Sequence, residues 1–335
     1  MTKIAKLAGV SQATVSRVIN EHPSVSAETA QEVLRIIKQL GYQPKGRSSR
    51  RQIDGIRSGL IAMVASFPDV MQHSELFTRT LFGASQALGE RGLKLVLIQL
   101  LRNGEFVPSV KPGDVDGVLV VGGCTKSQIS KHFGELPMVW LTSHSDVTGD
   151  HVLAGNEAVG RLAARYLSEE GCKNLVFFNP DVGRAVYRSR WAAFRLQSEE
   201  LGTRAYQLSS SRKDLISIWG IDKEELSREL ETMVDEFLSM RLESAGFFVP
   251  DDNVTALLYP ILYEKGIKPC HDVGIVSCCN EQAYLTALKP RPATIDLGHK
   301  LMGHRAVEQL IWRIKHPRLE DNRAFQVTIS PVLVK

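Results

Sequence analysis

The chain has 335 residues, 43% hydrophobic and 23% charged, which fits two or three compact soluble units better than one small core. It contains no run of 18 apolar residues and no long apolar stretch behind its N-terminus, which excludes a bilayer-spanning helix and a secretory leader and predicts a cytoplasmic protein. The net charge of +4 is divided unevenly: residues 1–59 hold ten Lys or Arg against four acids, leaving −2 for the remainder, so a basic head meant for a polyanion is expected on a mildly acidic body.

Three short helices are predicted in the head. In the first, Ile4, Leu7 and Ala8 share one face and Gly9 ends the helix. The second opens at Ser11 as N-cap, with Val10 and Val15 placed for a hydrophobic staple and Val15, Val18 and Ile19 as its apolar face. The third starts at Ser26, which can cap the amides of Glu28 or Thr29, and buries Val33, Leu34, Ile36, Ile37 and Leu40 before Gly41. Two helices joined by a tight glycine turn, with a third in support, make a helix-turn-helix.

The second helix carries Gln12, Ala13, Thr14, Ser16, Arg17 and Asn20 on faces its core does not use, and no acid lies between Ser11 and Asn20. Arginine pairs with guanine and glutamine with adenine, a small alanine touches a thymine methyl, and hydroxyls hold phosphates. An ordinary surface helix would more often pair Glu with Lys four residues apart. Duplex DNA is therefore the expected partner of the head.

"IAKLAGVSQATVSRVIN" and "VSAETAQEVLRIIKQLGYQP" resemble the headpiece of the LacI/GalR family of bacterial transcription regulators. The resemblance implies that Gln12, Ala13 and Arg17 read base edges and that Ser11, Thr14, Ser16 and Asn20 lie near phosphates. The family usually has two or three more residues before its first helix, so that helix is expected to be poorly capped. It also implies a hinge in residues 45–59, after a head of residues 1–44, that folds on DNA and pushes a leucine into the minor groove. Here Lys45 stands for the usual asparagine and Arg51 for the leucine. Lys45, Arg47, Arg50 and Arg51 can grip phosphates or a narrow minor groove, whereas the leucine wedge is missing. Without DNA the segment reads as a disordered basic linker.

Residues 60–335 alternate apolar runs with amphipathic stretches. Strands are predicted at 60–66, 93–100, 117–123, 137–143, 174–180, 245–250 and 273–279, and helices at 76–89, 156–169, 190–200, 224–240 and 253–265, with 203–222 irregular. This pattern predicts parallel α/β sheets covered on both faces, in two lobes that enclose a cleft. Segments such as "VDGVLVVGG", "AGNEAVGRLAARYLSEEGCKNLVFF" and "VGIVSCCNE" extend the family resemblance through the body. They imply a periplasmic-binding-protein-like domain of two Rossmann-like lobes with three crossings between them.

The resemblance places Arg190 at the family's effector-binding arginine; a lone helical arginine is otherwise more often a surface residue. Asp251 replaces a frequent asparagine, Asp252 keeps the acid after it, and Asp146 lies near a loop where some members use an aspartate. The family's "DN" is Gly155–Asn156 here, and its acidic pair is Cys279–Asn280, which weakens the case for a simple hexose. Trp219 can stack on a ligand or pack a lobe. A carbohydrate-like effector is expected, with a nucleobase or other metabolite, or no small ligand at all, as alternatives.

No phosphate-binding or dinucleotide-binding glycine motif follows a strand, the nine histidines show no metal-ligand spacing, and no catalytic order emerges. Cys124, Cys172, Cys270, Cys278 and Cys279 show no CxxC spacing, and the adjacent Cys278–Cys279 pair reads as buried thiols more readily than as a redox pair. Neither an enzyme nor a cofactor is expected. The sequence predicts a homodimeric, sequence-specific repressor on a palindromic operator, modulated by a small sugar-like effector, with the dimer surface on helices such as 76–89 and 299–314. Two rivals remain: a ligand-binding protein with a vestigial head, and a DNA-binding regulator without a small-molecule effector.

Overall fold

A computed structural model describes residues 2–19, 25–40, 55–66, 74–101, 103–141, 149–210, 223–317 and 323–335. The chain divides into two units, Met1–Gln52 and Ile53–Lys335.

The first unit is helical: α1 spans Thr2–Leu7, α2 Gln12–Ile19 and α3 Ala27–Gln39. Its core is Ile4, Ala5, Val15, Val18, Val33 and Ile36, all buried. Gly9 adopts φ 64°, the left-handed conformation that lets α1 stop and α2 begin three residues later. Ser11 Oγ accepts from the Thr14 amide at 3.0 Å and Ser26 Oγ from the Thr29 amide at 3.3 Å, so both expected N-caps are made. Leu34 and Leu40, expected in the core, are 51% and 39% exposed, and Leu7 is also exposed. Packed on α1 and α2, a thirteen-residue helix covers one narrow stripe, and Val33, Ile36 and Ile37 already fill it.

The second unit holds two sheets. In the first lobe, β1 (Leu60–Ser66), β2 (Lys94–Leu100), β3 (Phe106–Val107), β4 (Gly117–Gly122), β5 (Met138–Trp140), β6 (Asp150–Ala154) and β12 (Gln326–Ile329) run in the order β12-β6-β5-β4-β1-β2-β3. All pairings are parallel except β2 with β3. Helices α4 (Glu75–Gly89), α5 (Lys126–Phe133) and α11 (His299–Lys315) accompany these strands. In the second lobe, β7 (Asn174–Asn179), β8 (Arg204–Ser209), β9 (Ala245–Phe248), β10 (Gly274–Cys278), β11 (Ala293–Asp296) and β13 (Val332–Val334) run β13-β11-β10-β9-β7-β8. With them lie α6 (Asn156–Glu169), α7 (Ala185–Glu200), α8 (Lys223–Ser239), α9 (Asp252–Glu264) and α10 (Gln282–Leu285). Strands β1 and β4 are apolar and buried on both faces, as a parallel sheet between helices requires.

The chain passes between lobes after β6, after β11 and after β12, which gives the three crossings. They lie against one another. The Gly155 amide donates to Ile329 O at 2.9 Å, and a side chain at Gly298 would meet Ile329 at 2.9 Å. Residues 204–209, expected to be irregular, form the edge strand β8, whose exposed polar positions hide the alternating pattern. The α7 helix begins five residues before the expected start, at Ala185, because Val186 and Tyr187 pack into the lobe core. Residues 56–59, read as linker, belong to the first lobe. Asp116 accepts from the amides of Arg57, Ser58 and Gly59 at 2.8, 3.0 and 2.6 Å, and Ile56 packs on the core.

Candidate functional site

In the head, Gln12, Ala13 and Arg17 are exposed on α2, while Val15 and Val18 of the same helix are buried. Gln12 Nε2 donates to Thr2 Oγ1 at 3.0 Å, which orients that side chain from α1. The hydroxyls of Ser11 and Thr14 lie 2.9 Å apart, so one is a donor to the other. Ser11 is therefore the exposed cap of α2, and the half-buried Thr14 is the residue it caps. The side chain of Ser16, and Asn20, Lys45, Arg47, Arg50 and Arg51, lie outside the described residues.

A cavity of about 290 Å³ opens at the junction of the two lobes. Arg190, Asp251 and Cys279 line it, three of the residues expected there, together with Arg184, Asn156 and His299. Arg190 is 4% exposed; its Nε donates to Asn156 Oδ1 at 3.0 Å and a terminal nitrogen to Pro250 O at 2.6 Å. Asn156, noted in the sequence only as a departure, is thus what orients the arginine. Asp251 Oδ2 accepts from Tyr187 at 2.8 Å and from Arg184 at 3.2 Å, and the Cys279 thiol lies 3.6 Å from Oδ1.

Asn280 is not part of the lining. Its side chain donates to Asp296 Oδ2 at 2.9 Å, and its carbonyl accepts from Arg79 at 2.8 Å. The cause is backbone geometry: Cys279 and Asn280 take φ of 110° and 54°, and this double turn swings the amide out of the cavity. Asp146 and Trp219 lie outside the described residues.

Behind the cavity wall are two acids that spacing alone did not single out as a pair. Asp252 accepts from the Glu281 amide at 2.7 Å, from Thr294 at 3.0 Å and from Ser277. Burial pushes its carboxyl up to about 7, against the pull of those bonds. Glu281 is 1% exposed, and its Oε2 has no partner among the described residues. Burial, with the neighbouring charges of Asp251, Asp252 and Glu75, pushes it up to about 8, so it is protonated at neutral pH. Burial also holds His299 down at about 4, hence neutral, with Nδ1 3.1 Å from Thr80 Oγ1.

Asp251, Cys279 and Glu281 bring possible ligand atoms within 4.8 Å of one another. A metal there would face Arg184, bonded to Asp251, and Arg190 in the same wall, so the charge of the site opposes a cation.

The description "Bacterial regulatory proteins, lacI family" matches residues 1–45, and "Periplasmic binding protein-like domain" matches residues 164–333. The chain belongs to the lacI family of bacterial regulatory proteins. As a lacI family chain it is 24% identical to the "Ribose operon repressor" of Escherichia coli (strain K12), covering 100% of this chain and 98% of that one. It is likewise 24% identical to the "HTH-type transcriptional repressor PurR" of Haemophilus influenzae (strain PittEE), over 99% and 96% of the two chains. Among solved structures, the lac repressor dimer bound to operator and the anti-inducer ONPF aligns with TM-score 0.69 at 18% identity, over 99% and 96% of the chains. The transcriptional regulator CelR–cellobiose complex aligns with TM-score 0.66 at 22% identity, over 99% and 97%. The fold of this lacI family member, a helical head and a two-lobed α/β body, is therefore the fold of those repressors.

Proposed function

We propose that the chain is a sequence-specific DNA-binding transcription regulator, a repressor, whose operator affinity is set by a small molecule held in the cavity between the lobes of its second unit. The observation that carries this reading is the pairing of two features in one chain. An exposed, acid-free α2 presents Gln12, Ala13 and Arg17, and a cavity between the lobes is built on a buried arginine. Relatives named as a ribose operon repressor and an HTH-type transcriptional repressor, and a neighbour solved with cellobiose, favour the same combination.

In this reading Arg17 and Gln12 read base edges, Ala13 touches a thymine methyl, and Ser11, Thr14, Ser16 and Asn20 hold phosphates. Lys45, Arg47, Arg50 and Arg51 add backbone contacts without a leucine wedge. One short helix makes few base contacts, so two heads act together on a palindrome and the protein is a homodimer. Phe82 on α4 and Leu301 on α11, 59% and 52% exposed, offer an apolar surface for that association, and the Lys300 ammonium sits 5.0 Å over the Phe82 ring. Ligand binding closes the lobes about the three crossings and changes head geometry, a coupling of about 1–3 kcal/mol. The reading assigns the chain no catalysis and places it in the cytoplasm with its DNA; among the described residues no helix is long and apolar enough to cross a membrane.

Selection of random duplexes by the purified protein near physiological salt tests it, because screening there suppresses loose electrostatic binding. Recovery of one palindrome is the expected result. Recovery of no motif would leave the ligand-binding protein with a vestigial head as the better description.

A further inference from the structure

We propose that the lobe cavity takes a small organic acid, with an apolar body against the walls and one anionic group on Arg190. The inference rests on the reading of this cavity as the effector site. Arg190 is a buried cation whose two partners, the Asn156 side-chain oxygen and the Pro250 carbonyl, are both neutral. The only carboxylate among the described lining residues is Asp251, and Arg184 and Tyr187 engage it on one oxygen while Cys279 faces the other. The lining therefore carries two guanidinium groups against one carboxylate. Behind the lining Glu281 is held protonated, His299 within it is neutral, and the further acids Asp252, raised to about 7, and Asp181, which acts on Arg184, leave Arg190 as the guanidinium whose hydrogen-bond partners are both neutral.

Asp251 is the carboxylate that both guanidinium groups share, but it hydrogen-bonds Arg184 and not Arg190, so an incoming anion gives Arg190 a direct charged partner where a neutral ligand does not. Among the described residues the rest of the wall is mainly apolar, with Leu76, Phe77, Val121, Leu141, Leu297 and Met302, and Ser74 and His299 as its further polar groups. Thr80 already donates to Leu76 O at 2.9 Å, and Asn156 is committed to Arg190. A polyol would leave several hydroxyls desolvated against these walls. An acid with a ring or short branched chain fills them.

The test is calorimetric titration of the full-length protein with matched probes. Cyclohexanecarboxylate, cyclohexylmethyl phosphate and cyclohexylmethanol share one apolar body; glucose, glucuronate and glucose 6-phosphate share a polar one. The two cyclohexyl anions should bind at least about tenfold more tightly than the alcohol and than all three sugars, and their order separates carboxylate from phosphate. Arg190→Met should weaken the better anion by at least about thirtyfold. Equal binding of alcohol and acid, tighter binding of any sugar, no binding by either cyclohexyl anion, or unchanged affinity for the anion in a folded Arg190→Met would each overturn the proposal. If the acid binds and operator affinity does not change, the acid site stands and the effector reading of the cavity fails instead.

Discussion

Tyr187 and Arg184 converge on one oxygen of Asp251, at 2.8 and 3.2 Å, from the first turn of α7 and from the N-cap position three residues before it. The loop before α9 is thereby tied to α7 across the base of the cavity, and Asp251 is 2% exposed while Arg184 remains half-buried. Replacing Asp251 by alanine leaves Arg184 and Arg190 without a carboxylate between them. The expected loss is about 2–4 kcal/mol, toward the lower end of buried pairs because Arg184 keeps some solvent. Urea denaturation measures it, and a loss below about 1 kcal/mol would mean that the two arginines do not depend on Asp251.

Acidity gives a second test. Glu281 and Asp252 have carboxyls raised to about 8 and about 7, so between their unfolded values and these the folded state binds more protons. Their contribution is fully present at low pH and is lost as pH rises. His299 works the other way, since its depressed value adds stability as pH climbs from about 4 to its ordinary 6.5, and nothing above that. The melting temperature should therefore fall between pH 6.5 and 8.5, and Glu281→Gln should flatten that fall. A melting temperature that rises through this range would contradict the burial of both acids.

Close helix contact gives a third. A Cβ at Gly83 of α4 would lie 1.9 Å from Lys300 O, and one at Gly303 of α11 would lie 2.0 Å from Thr80 O. Each helix thus meets the backbone of the other through a glycine. Gly83→Ala and Gly303→Ala should each cost about 1–3 kcal/mol by overpacking. Gly89→Ala at the end of α4, where a Cβ meets open space, should be neutral or gain up to about 1 kcal/mol.

On the head, Arg17→Ala should weaken binding to the selected palindrome by about 1–3 kcal/mol and relax preference at one base position, with helix content unchanged. Ser11→Ala should act differently, because its hydroxyl caps the Thr14 amide: a loss of about 1 kcal/mol in head stability should accompany any loss of affinity. Fluorescence anisotropy with thermal melts by circular dichroism separates the two. If Arg17→Ala weakens every duplex equally, its contact is to phosphate rather than to a base.

Much of the molecule was legible in the residues. The N-caps at Ser11 and Ser26, the stop at Gly9 and the apolar stripe of α2 are local signals, each readable within five residues because capping and helical periodicity are short-range. The buried parallel strands showed as unbroken apolar runs, since both of their faces meet helices. Leu34 and Leu40 were misplaced because periodicity names the apolar residues of α3 but not how wide a face its neighbours can cover. The cavity depended on tertiary structure. Arg190 could be named from its place in the chain, yet its neutral partners come from residues 156 and 250, and Arg184 drew no notice until folding set it beside Asp251. The resemblance places Asn280 in the site because the family's acidic pair falls at Cys279–Asn280, and two left-handed backbone conformations turn it away. Local hydrogen bonding and burial pattern are written along the chain, whereas the balance of charge in a cavity is set by which distant groups share one low-dielectric space.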